Sequence, residues 1–366
     1  MNLLFTSIKI GSLLIKNRFV RSATHDYIGN SDGTISDQEI TLYETLAKND
    51  VGMIITAHAH VQHPLGRASV NQNGIYADHF IPGYQKLAST VQRFGSKLVV
   101  QLSHAGRQVP PDWEKGITPV APSPVTDGST GLTPRELKTD EIWEIVEDFT
   151  SAMLRSKKAG CDGAQLHIAH GYLLSQFLSP YTNRRSDEWG GTFENRTRIL
   201  REIMIRGRRA VGPDYPILAK LNSTDGFSGS EYLNLTDVIG TAKLLESLGL
   251  NAIEISGGIR EAKGIMSRPG VKHAEQEAYF AAAAKAVKQS VDIPVILVGG
   301  LRSKQVMEKV LSDGSADMIS LSRPFVKEPD LVKRFAQSAE SVSCVSCNAC
   351  FNPKGLKCYL GDGKSG

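Results

Sequence analysis

The chain has 366 residues, of which 41% are hydrophobic and 22% are charged, and it contains 34 glycines. This composition excludes disordered and fibrous proteins and is typical of a large α/β protein. The formal net charge of +4 is spread along the chain, which argues against a nucleic-acid arm or a membrane tether. Because no apolar stretch of about 18 residues and no secretory signal occur, we expect a cytoplasmic protein with no membrane partner.

The first part of the chain predicts a hairpin followed by strands. Two short apolar segments, Ile8–Ile10 and Leu13–Ile15, flank Gly11, and we expect them to form a hairpin that closes one end of the fold. Eight β-branched, apolar runs follow, and each enters a polar or glycine-rich loop. The predicted strands are Arg18–Ser22, Met53–Thr56, Leu98–Leu102, Ala164–Ile168, Ile217–Leu221, Ala252–Ser256, Val295–Val298 and Met318–Leu321.

Segments with helical periodicity separate these strands. Examples are Asp140–Lys158, Phe193–Val211, Leu235–Leu248 and Ala274–Gln289. Alternating strands and helices indicate a parallel sheet, and eight such units predict an α/β fold of the (β/α)8 TIM barrel type. An open doubly wound sheet is the rival fold. It requires a glycine-rich loop after the first strand, but no glycine follows Ser22 there.

Two segments stand apart from the repeating units. The region Val109–Pro134 carries six prolines and predicts an ordered, functional loop after the third strand. The sequence Gly361–Gly366 matches G-x-G-x-x-G, but no helix follows it, so we interpret it as a chance match. We divide the chain into a barrel, residues 1–335, and a cysteine-rich C-terminal tail, residues 336–366.

The active site of a β/α barrel lies at the C-terminal ends of its strands, where this chain is rich in polar residues. Gln101 belongs to the third predicted strand and Lys220 to the fifth. The seventh strand leads into Gly299-Gly300 and the eighth into Ser322-Arg323. Glycine amides, a helix N-terminus and an arginine together predict a phosphate-binding site.

His167, His170 and Tyr172 follow the fourth predicted strand. The two histidines either ligate a metal or donate hydrogen bonds to a carbonyl oxygen on which negative charge develops. We favour the donor role, because no third ligand with suitable spacing is evident. Tyr172 suits delivery of a proton at neutral pH, since an unperturbed tyrosine has a pKa of about 10.

A second histidine cluster, His58, His60 and His63, follows the second strand. Strand alternation places His58 and His60 on one face, and His63 precedes a proline. We expect these histidines to line the rim of the site rather than to bind a metal.

Four long motifs resemble the Old Yellow Enzyme family, and within it the bacterial NADH:flavin oxidoreductases related to the barrel domain of 2,4-dienoyl-CoA reductase. The resemblance covers about residues 1–335. The motifs are Ile15-Lys-Asn-Arg-Phe-Val-Arg-Ser-Ala-Thr, Gln101-Leu-Ser-His-Ala-Gly-Arg-Gln, His167-Ile-Ala-His-Gly-Tyr-Leu-Leu-Ser-Gln-Phe-Leu-Ser-Pro and Asn183-Arg-Arg-Ser-Asp-Glu-Trp-Gly-Gly-Thr-Phe-Glu-Asn-Arg.

The resemblance implies an FMN enzyme and assigns roles to individual residues. Ala23 and Thr24 contact the flavin edge, while Gln101 and Lys220 contact its pyrimidine side. Gly299, Gly300, Ser322 and Arg323 hold the phosphate. His167 and His170 bind the substrate carbonyl, and Tyr172 donates the proton. His25 stands near flavin N5 and O4, where many relatives carry threonine or cysteine.

The implied reaction is that of an ene-reductase. NAD(P)H reduces FMN, and hydride then passes from the flavin to the β-carbon of an α,β-unsaturated carbonyl compound. The expected partner is this small molecule, with no nucleic acid, and a homo-oligomer is left open. The chain ends at Gly366, so we expect no second, nucleotide-binding domain and a direct reaction of NAD(P)H at the barrel mouth.

The tail contains Cys344, Cys347, Cys350 and Cys358. Their spacing is similar to the iron–sulfur motif of dienoyl-CoA reductases, but it has one residue fewer between the second and third cysteines. A [4Fe–4S] cluster, a structural zinc and reduced, metal-free thiols all remain open.

Other activities are compatible with the same pattern. A dienoyl-CoA-reductase-like enzyme or an FMN and iron–sulfur dehydrogenase shares the barrel and the cysteines. A phosphate-binding barrel lyase or isomerase would use Lys220 as a Schiff-base lysine. A non-catalytic electron-transfer or metal-sensing module would depend on the tail cysteines alone.

Overall fold

The computed structural model of the protein describes residues 2–109 and 116–360. The strands in chain order are β1 Ile8–Ile10, β2 Leu13–Ile15, β3 Phe19–Arg21, β4 Met53–Ile55, β5 Ala59–His60, β6 Lys97–Ser103, β7 Val120–Ala121, β8 Arg135–Glu136, β9 Gly163–Ile168, β10 Ile217–Asn222, β11 Ala252–Ser256, β12 Val295–Val298 and β13 Met318–Leu321. The α-helices are α1 Asp37–Lys48, α2 Ile81–Gln92, α3 Thr139–Lys158, α4 Leu173–Leu178, α5 Phe193–Arg196, α6 Arg198–Val211, α7 Leu235–Ser247, α8 Ala281–Lys288, α9 Lys304–Ser312, α10 Arg323–Lys327 and α11 Leu331–Gln337. Short 3-10 helices cover Leu3–Phe5, Asp78–Phe80 and Ala274–Gln276.

Eight parallel strands close into a barrel. Their order is β4-β3-β13-β12-β11-β10-β9-β6, and pairing of β4 with β6 completes the ring. Each of these strands coincides with one of the eight predicted from the sequence, so the predicted (β/α)8 TIM barrel is confirmed. Because all eight strands are parallel, their C-terminal ends lie at one face of the molecule.

The N-terminal hairpin closes the opposite face. Strands β1 and β2 pair antiparallel, with Ile10 opposite Leu13. Ile10 and Ile15 are fully buried against Met53 and Leu218, whose side chains fill the barrel interior. The predicted hairpin is therefore confirmed, and the site must open at the other end.

The helices cover the barrel with one apolar face each. In α3, the buried residues Ile142, Ile145, Phe149 and Met153 recur every three or four positions, as expected for a helix packed on a core. One predicted helix is partly wrong. Residues 274–289 form only a 3-10 turn and then α8, because Ala278 between them adopts a left-handed φ of 51°.

Two predictions reach beyond the described residues. In the proline-rich loop, β7 pairs with β8, which directly follows the loop, whereas Pro110 and Pro111 lie outside the described part of the chain. The chance match at 361–366 lies outside it as well. The tail from Ser338 to Leu360 forms no helix or strand within these described positions, and its division from the barrel stays a proposal.

Candidate active site

A cavity of about 500 Å³ opens at the C-terminal face of the barrel. Its volume falls in the range of small-molecule and cofactor sites. The structure brings all the predicted cofactor-binding and catalytic residues to its wall. These residues are Ala23, Thr24, His25, Gln101, His167, His170, Tyr172, Lys220, Gly299, Gly300, Ser322 and Arg323.

Lys220 occupies the base of the cavity and is held by a carboxylate that sequence reasoning missed. It lies on β10 directly beside Glu254 on β11, and its Nζ donates to Ser22 Oγ at 2.7 Å and to Glu254 Oε1 at 3.2 Å. Burial lowers the pKa of Lys220, and the charge of Glu254 opposes this shift. A glutamate in the middle of the apolar strand Ala252–Ser256 was the sequence signal for such a partner.

The same carboxylate orients Gln101 through a chain of amides. Gln101 Nε2 donates to Gln165 Oε1 at 2.7 Å, and Gln165 Nε2 donates to Glu254 Oε2 at 3.0 Å. Burial alone would raise the pKa of Glu254, but Lys220 and the hydrogen-bond donors around it outweigh burial and lower that pKa. The ionised Glu254 therefore fixes the orientation of both Lys220 and Gln101.

His167 and His170 share one small volume, as predicted. Their ring centroids are 5.0 Å apart, with the planes at 87°. His170 is fixed by a hydrogen bond between Nε2 and Ser256 Oγ at 2.7 Å, and its backbone has a left-handed φ of 63°. In contrast, His167 Nδ1 is buried without a hydrogen-bond partner among the described residues. A buried polar atom without a protein partner on a cavity wall is available for a ligand contact.

Burial keeps these side chains neutral. It lowers the pKa of His167 and His170 well below the ordinary value, and Lys220 adds to the shift of both. Burial also raises the pKa of Tyr172 to about 12. At neutral pH each imidazole therefore carries a single N–H, and Tyr172 retains its proton.

The prediction that His58, His60 and His63 line the rim is wrong for His58. The chain leaves the strand after Ile55 and resumes at Ala59, so the assumed alternation does not hold. His58 is buried and lines the cavity, and its Nε2 lies 3.4 Å from the Tyr172 hydroxyl. His60 contacts Tyr76 instead, at a ring distance of 5.1 Å.

His25 also lies at this end of the cavity. Its Nε2 is 2.6 Å from Ser69 Oγ, and its ring centroid is 3.9 Å from that of Tyr27. Burial, followed by the charge of Arg260, lowers the pKa of His25 to about 3. Its Nδ1 is buried without a partner within residues 2–109 and 116–360, so a neutral His25 presents an unsatisfied polar atom at this end of the cavity.

The opposite end of the cavity combines two glycines with Arg323. Gly299 and Gly300 have φ angles of 138° and 68°, and a Cβ added to Gly300 would lie 2.6 Å from the Tyr279 ring. Only glycine fits this turn without strain. Arg323 is buried beside it, and Thr24 Oγ1 hydrogen-bonds Ser322 Oγ at 2.7 Å.

The tail contributes to this end, which the sequence did not predict. Arg323 Nη1 donates to Asn348 Oδ1 at 2.6 Å and to the Ser346 carbonyl at 3.2 Å. Ser346, Phe351 and Pro353 line the cavity. The tail is therefore packed over the barrel mouth and forms part of the wall.

The sequence profile of the NADH:flavin oxidoreductase / NADH oxidase family matches residues 3–341. The chain belongs to this family. It is 38% identical to an NADH oxidase of Thermoanaerobacter brockii over 347 residues, which are 94% of this chain and 52% of the relative. It is 33% identical to an NADPH dehydrogenase of Bacillus subtilis over 335 residues, 91% of this chain and 94% of the relative.

Solved structures agree with this membership. The complex of 2-naphthoyl-CoA reductase with 2-naphthoyl-CoA superposes with a TM-score of 0.87 at 29% identity, covering 94% of this chain and 54% of that one. An old yellow enzyme homologue from Zymomonas mobilis has a TM-score of 0.76 at 25% identity, with 94% and 96% coverage. The chain thus spans about half the length of some relatives, and the predicted resemblance to the Old Yellow Enzyme family is confirmed.

The residues present fit FMN, the cofactor that this family implies. One end of the cavity offers Arg323 beside a glycine turn for a phosphate, and the base offers Lys220 and Gln101 as polar contacts for a ring edge. No aspartate or glutamate is among the residues that line the cavity in the described chain. Such a wall suits an elongated, anionic ligand. It disfavours the alternative of a Schiff-base lyase, because Lys220 is tied to Glu254.

The four tail thiols are not gathered into a metal site in the described chain. Within residues 2–109 and 116–360, no group of three or more His, Cys, Asp or Glu side chains is arranged to hold a metal ion. Cys347 is exposed whereas Cys350 is buried, so the thiols face different surroundings. Metal ligation by Cys344, Cys347, Cys350 and Cys358 therefore has no support from geometry.

Across the part of the chain that the structure describes, every helix is too short or too polar to cross a membrane.

Proposed function

We propose that the chain is an FMN-dependent ene-reductase that uses NAD(P)H to reduce the carbon–carbon double bond of an α,β-unsaturated carbonyl compound. The observation that carries this proposal is His167 Nδ1, which has no hydrogen-bond partner among the described residues and shares one cavity with His170, Tyr172 and the proposed arginine–glycine phosphate site. Membership of the flavin oxidoreductase family supports the same activity.

The cofactor would be held along the length of the cavity. Arg323, Ser322, Gly299 and Gly300 are proposed to bind its phosphate. Gln101 and Lys220 are proposed to hold the pyrimidine edge, because Glu254 fixes both in place. Backbone groups of Ala23 and Thr24, with the neutral side chain of His25, complete the proposed contacts at the ring edge.

FMN, when bound, supplies hydride chemistry between a nicotinamide and an alkene. The protein polarises the substrate. His167 and His170 are proposed to donate one N–H each to the carbonyl oxygen, which draws electron density away from the β-carbon. Because both imidazoles are neutral, they stabilise developing negative charge on that oxygen without transferring a full proton to it.

Tyr172 is proposed to donate a proton to the α-carbon. It lies 4.8 Å from His167 between ring centroids, so the carbonyl and the proton donor are close together. The burial that raises its pKa to about 12 keeps the hydroxyl protonated until the carbanion-like α-carbon needs it.

The test is to incubate the FMN-loaded protein with NADPH or NADH and 2-cyclohexenone without oxygen and to quantify cyclohexanone. One cyclohexanone per nucleotide consumed supports the proposal. The experiment is repeated with an unsaturated aldehyde and an unsaturated ester. If nucleotide is oxidised but none of the three alkenes is reduced, the protein is an NAD(P)H oxidase and the ene-reductase assignment is wrong.

Location and assembly are part of the same proposal. We infer a cytoplasmic enzyme, because its five cysteines are free thiols, as expected in a reducing compartment. Whether the chain forms a homo-oligomer is tested by size-exclusion chromatography with light scattering. A single mass near that of one chain would reject an oligomer.

A further inference from the structure

Three cationic side chains, Lys220, Arg260 and Arg323, line the cavity, and no carboxylate lines it among the described residues. Two of the three have partners that explain their position. Lys220 is paired with Glu254, and Arg323 bonds the tail beside the glycine turn. Arg260 is different. Its guanidinium forms no ion pair or hydrogen bond with any residue in the described chain.

The backbone around Arg260 is nevertheless fixed. Ile259 N donates to the Asp225 carbonyl at 3.0 Å, and Ile259 is buried. On the other side, Glu261 Oε1 accepts from Arg107 Nη2 at 3.1 Å. The neighbouring carboxylate is therefore already occupied, and the loop presents Arg260 to the cavity from a position held on both sides.

Arg260 acts on the end of the cavity where the substrate is proposed to bind. After burial, which is the larger cause in each case, its charge lowers the pKa of His25 and His58 and opposes the raised pKa of Tyr27 and Tyr172. The histidines of this end are neutral, so Arg260 is the positive charge that a ligand meets there.

We propose that Arg260 binds an anionic group, a carboxylate, carried by the unsaturated substrate and thereby selects acidic alkenes over neutral ones. This inference rests on the proposed function. A guanidinium matches a carboxylate with two parallel hydrogen bonds, and a phosphate of the nicotinamide nucleotide is the other source of an anion that reaches the same end.

The test compares matched substrates in which a carboxylate is exchanged for a neutral carboxamide of similar size, and each variant is compared with the wild type on the same pair. The first pair is 4-oxopent-2-enoate and 4-oxopent-2-enamide, and the second is 4-(3-oxobut-1-enyl)benzoate and the corresponding benzamide, which places the carboxylate farther from the ketone. For each pair, the ratio of kcat/KM values for acid and amide is measured in the wild type, Arg260→Gln, Arg260→Lys and Arg260→Glu. Arg201→Gln, an exposed arginine on α6, is the matched control.

We expect the acid-to-amide ratio of at least one pair to fall about tenfold or more in Arg260→Gln, because this variant loses a charge-assisted hydrogen bond to the carboxylate. Arg260→Glu should lower the ratio further, Arg260→Lys should restore part of it, and Arg201→Gln should not change it. Each acid and amide is also titrated into the oxidised enzyme, and its dissociation constant is taken from the shift in the flavin spectrum. The acid-to-amide ratio of these constants gives the same comparison without turnover.

Ratios that stay within about threefold of wild type for both pairs, in kinetics and in binding, would overturn the inference. A nucleotide phosphate is identified by a separate result. In that case the rate of flavin reduction by NADPH or NADH, measured without alkene, would fall in Arg260→Gln while the acid-to-amide ratios stayed as in the wild type. This result would also overturn the proposal that Arg260 binds a substrate carboxylate. If the wild type reduces neither these four compounds nor 2-cyclohexenone, the proposed function fails, whereas the binding comparison still decides the role of Arg260.

Discussion

His58 Nε2 lies 3.4 Å from the hydroxyl oxygen of Tyr172, and Gln72 determines which ring nitrogen of His58 carries the proton. Gln72 Oε1 accepts from the Ala68 amide at 2.6 Å, so Gln72 Nε2 faces His58 Nδ1 at 2.8 Å and must donate to it. A neutral His58 then carries its proton on Nε2 and donates it to the Tyr172 oxygen. The tyrosine proton is left free to point into the cavity.

A double-mutant cycle tests whether His58 acts through Tyr172. We expect Tyr172→Phe to slow alkene-dependent reoxidation of the flavin by about 10²-fold or more, as for loss of a general acid. His58→Ala should slow it less, by roughly tenfold. If His58 acts only by orienting the tyrosine proton, adding His58→Ala to Tyr172→Phe should cause almost no further loss.

Stopped-flow reoxidation by 2-cyclohexenone measures all three variants, and Tyr181→Phe, outside the cavity wall, is the control tyrosine. Losses that multiply in the double variant would show that His58 and Tyr172 act independently. His58→Gln provides a second variant if His58→Ala does not fold.

Removal of His167 should affect the reaction and spare the fold. His167 Nδ1 has no hydrogen-bond partner in the described chain, so His167→Ala breaks no protein contact through that atom. We expect kcat/KM for 2-cyclohexenone to fall about 10²- to 10³-fold, the usual cost of a lost oxyanion donor, with flavin still bound. His79→Ala, an exposed histidine, is the control, and a loss below about tenfold in His167→Ala would contradict the donor role.

Charge reversal at Arg323 should release the cofactor. We expect Arg323→Glu to leave a colourless protein after gel filtration, because a carboxylate would face the phosphate of FMN. Asn348→Ala removes the 2.6 Å hydrogen bond that holds Arg323 and should weaken FMN binding about tenfold. The flavin-to-protein absorbance ratio and the fluorescence of released FMN measure both. Full flavin content in Arg323→Glu would show that the phosphate lies elsewhere.

Acid should destabilise the fold through its buried histidines. Burial lowers the pKa of His60 to about 3, so the unfolded state binds a proton that the folded state does not. The neutral His60 therefore costs no stability above its ordinary pKa of about 6.5. As the pH falls from there toward 3, it lowers the free energy of unfolding by about 1.4 kcal/mol per pH unit. His60→Gln should therefore flatten the pH dependence of the unfolding free energy by that amount between about pH 6 and 4.

Urea unfolding followed by circular dichroism gives this slope, and His79→Gln is the exposed control. A slope in His60→Gln equal to that of the wild type would mean that His60 is protonated in the folded protein.

The sequence predicts the barrel and much of the site because both follow from local order. Each strand is a short apolar run, and the C-terminal ends of parallel strands meet at one face. His167, His170 and Tyr172 lie within six residues at one strand end, so their convergence needs no knowledge of the loops. Lys220 and Arg323 follow by the same rule.

The missed residues depend on chain paths that no local pattern determines. His58 reaches the cavity because the strand is interrupted after Ile55. Arg260 is positioned through its neighbours, because Ile259 bonds Asp225 and Glu261 pairs with Arg107 on two other loops. Asn348 reaches Arg323 only because the tail folds back over the barrel mouth.

The most direct test of the central claim is the visible spectrum of the protein, purified with FMN and without oxygen, during successive additions of NADPH or NADH and then 2-cyclohexenone. We predict flavin bands that bleach with the nucleotide and return fully with the enone, at one equivalent of each. A protein that binds no FMN, or flavin bands that bleach and stay bleached until oxygen is admitted, would contradict the ene-reductase account.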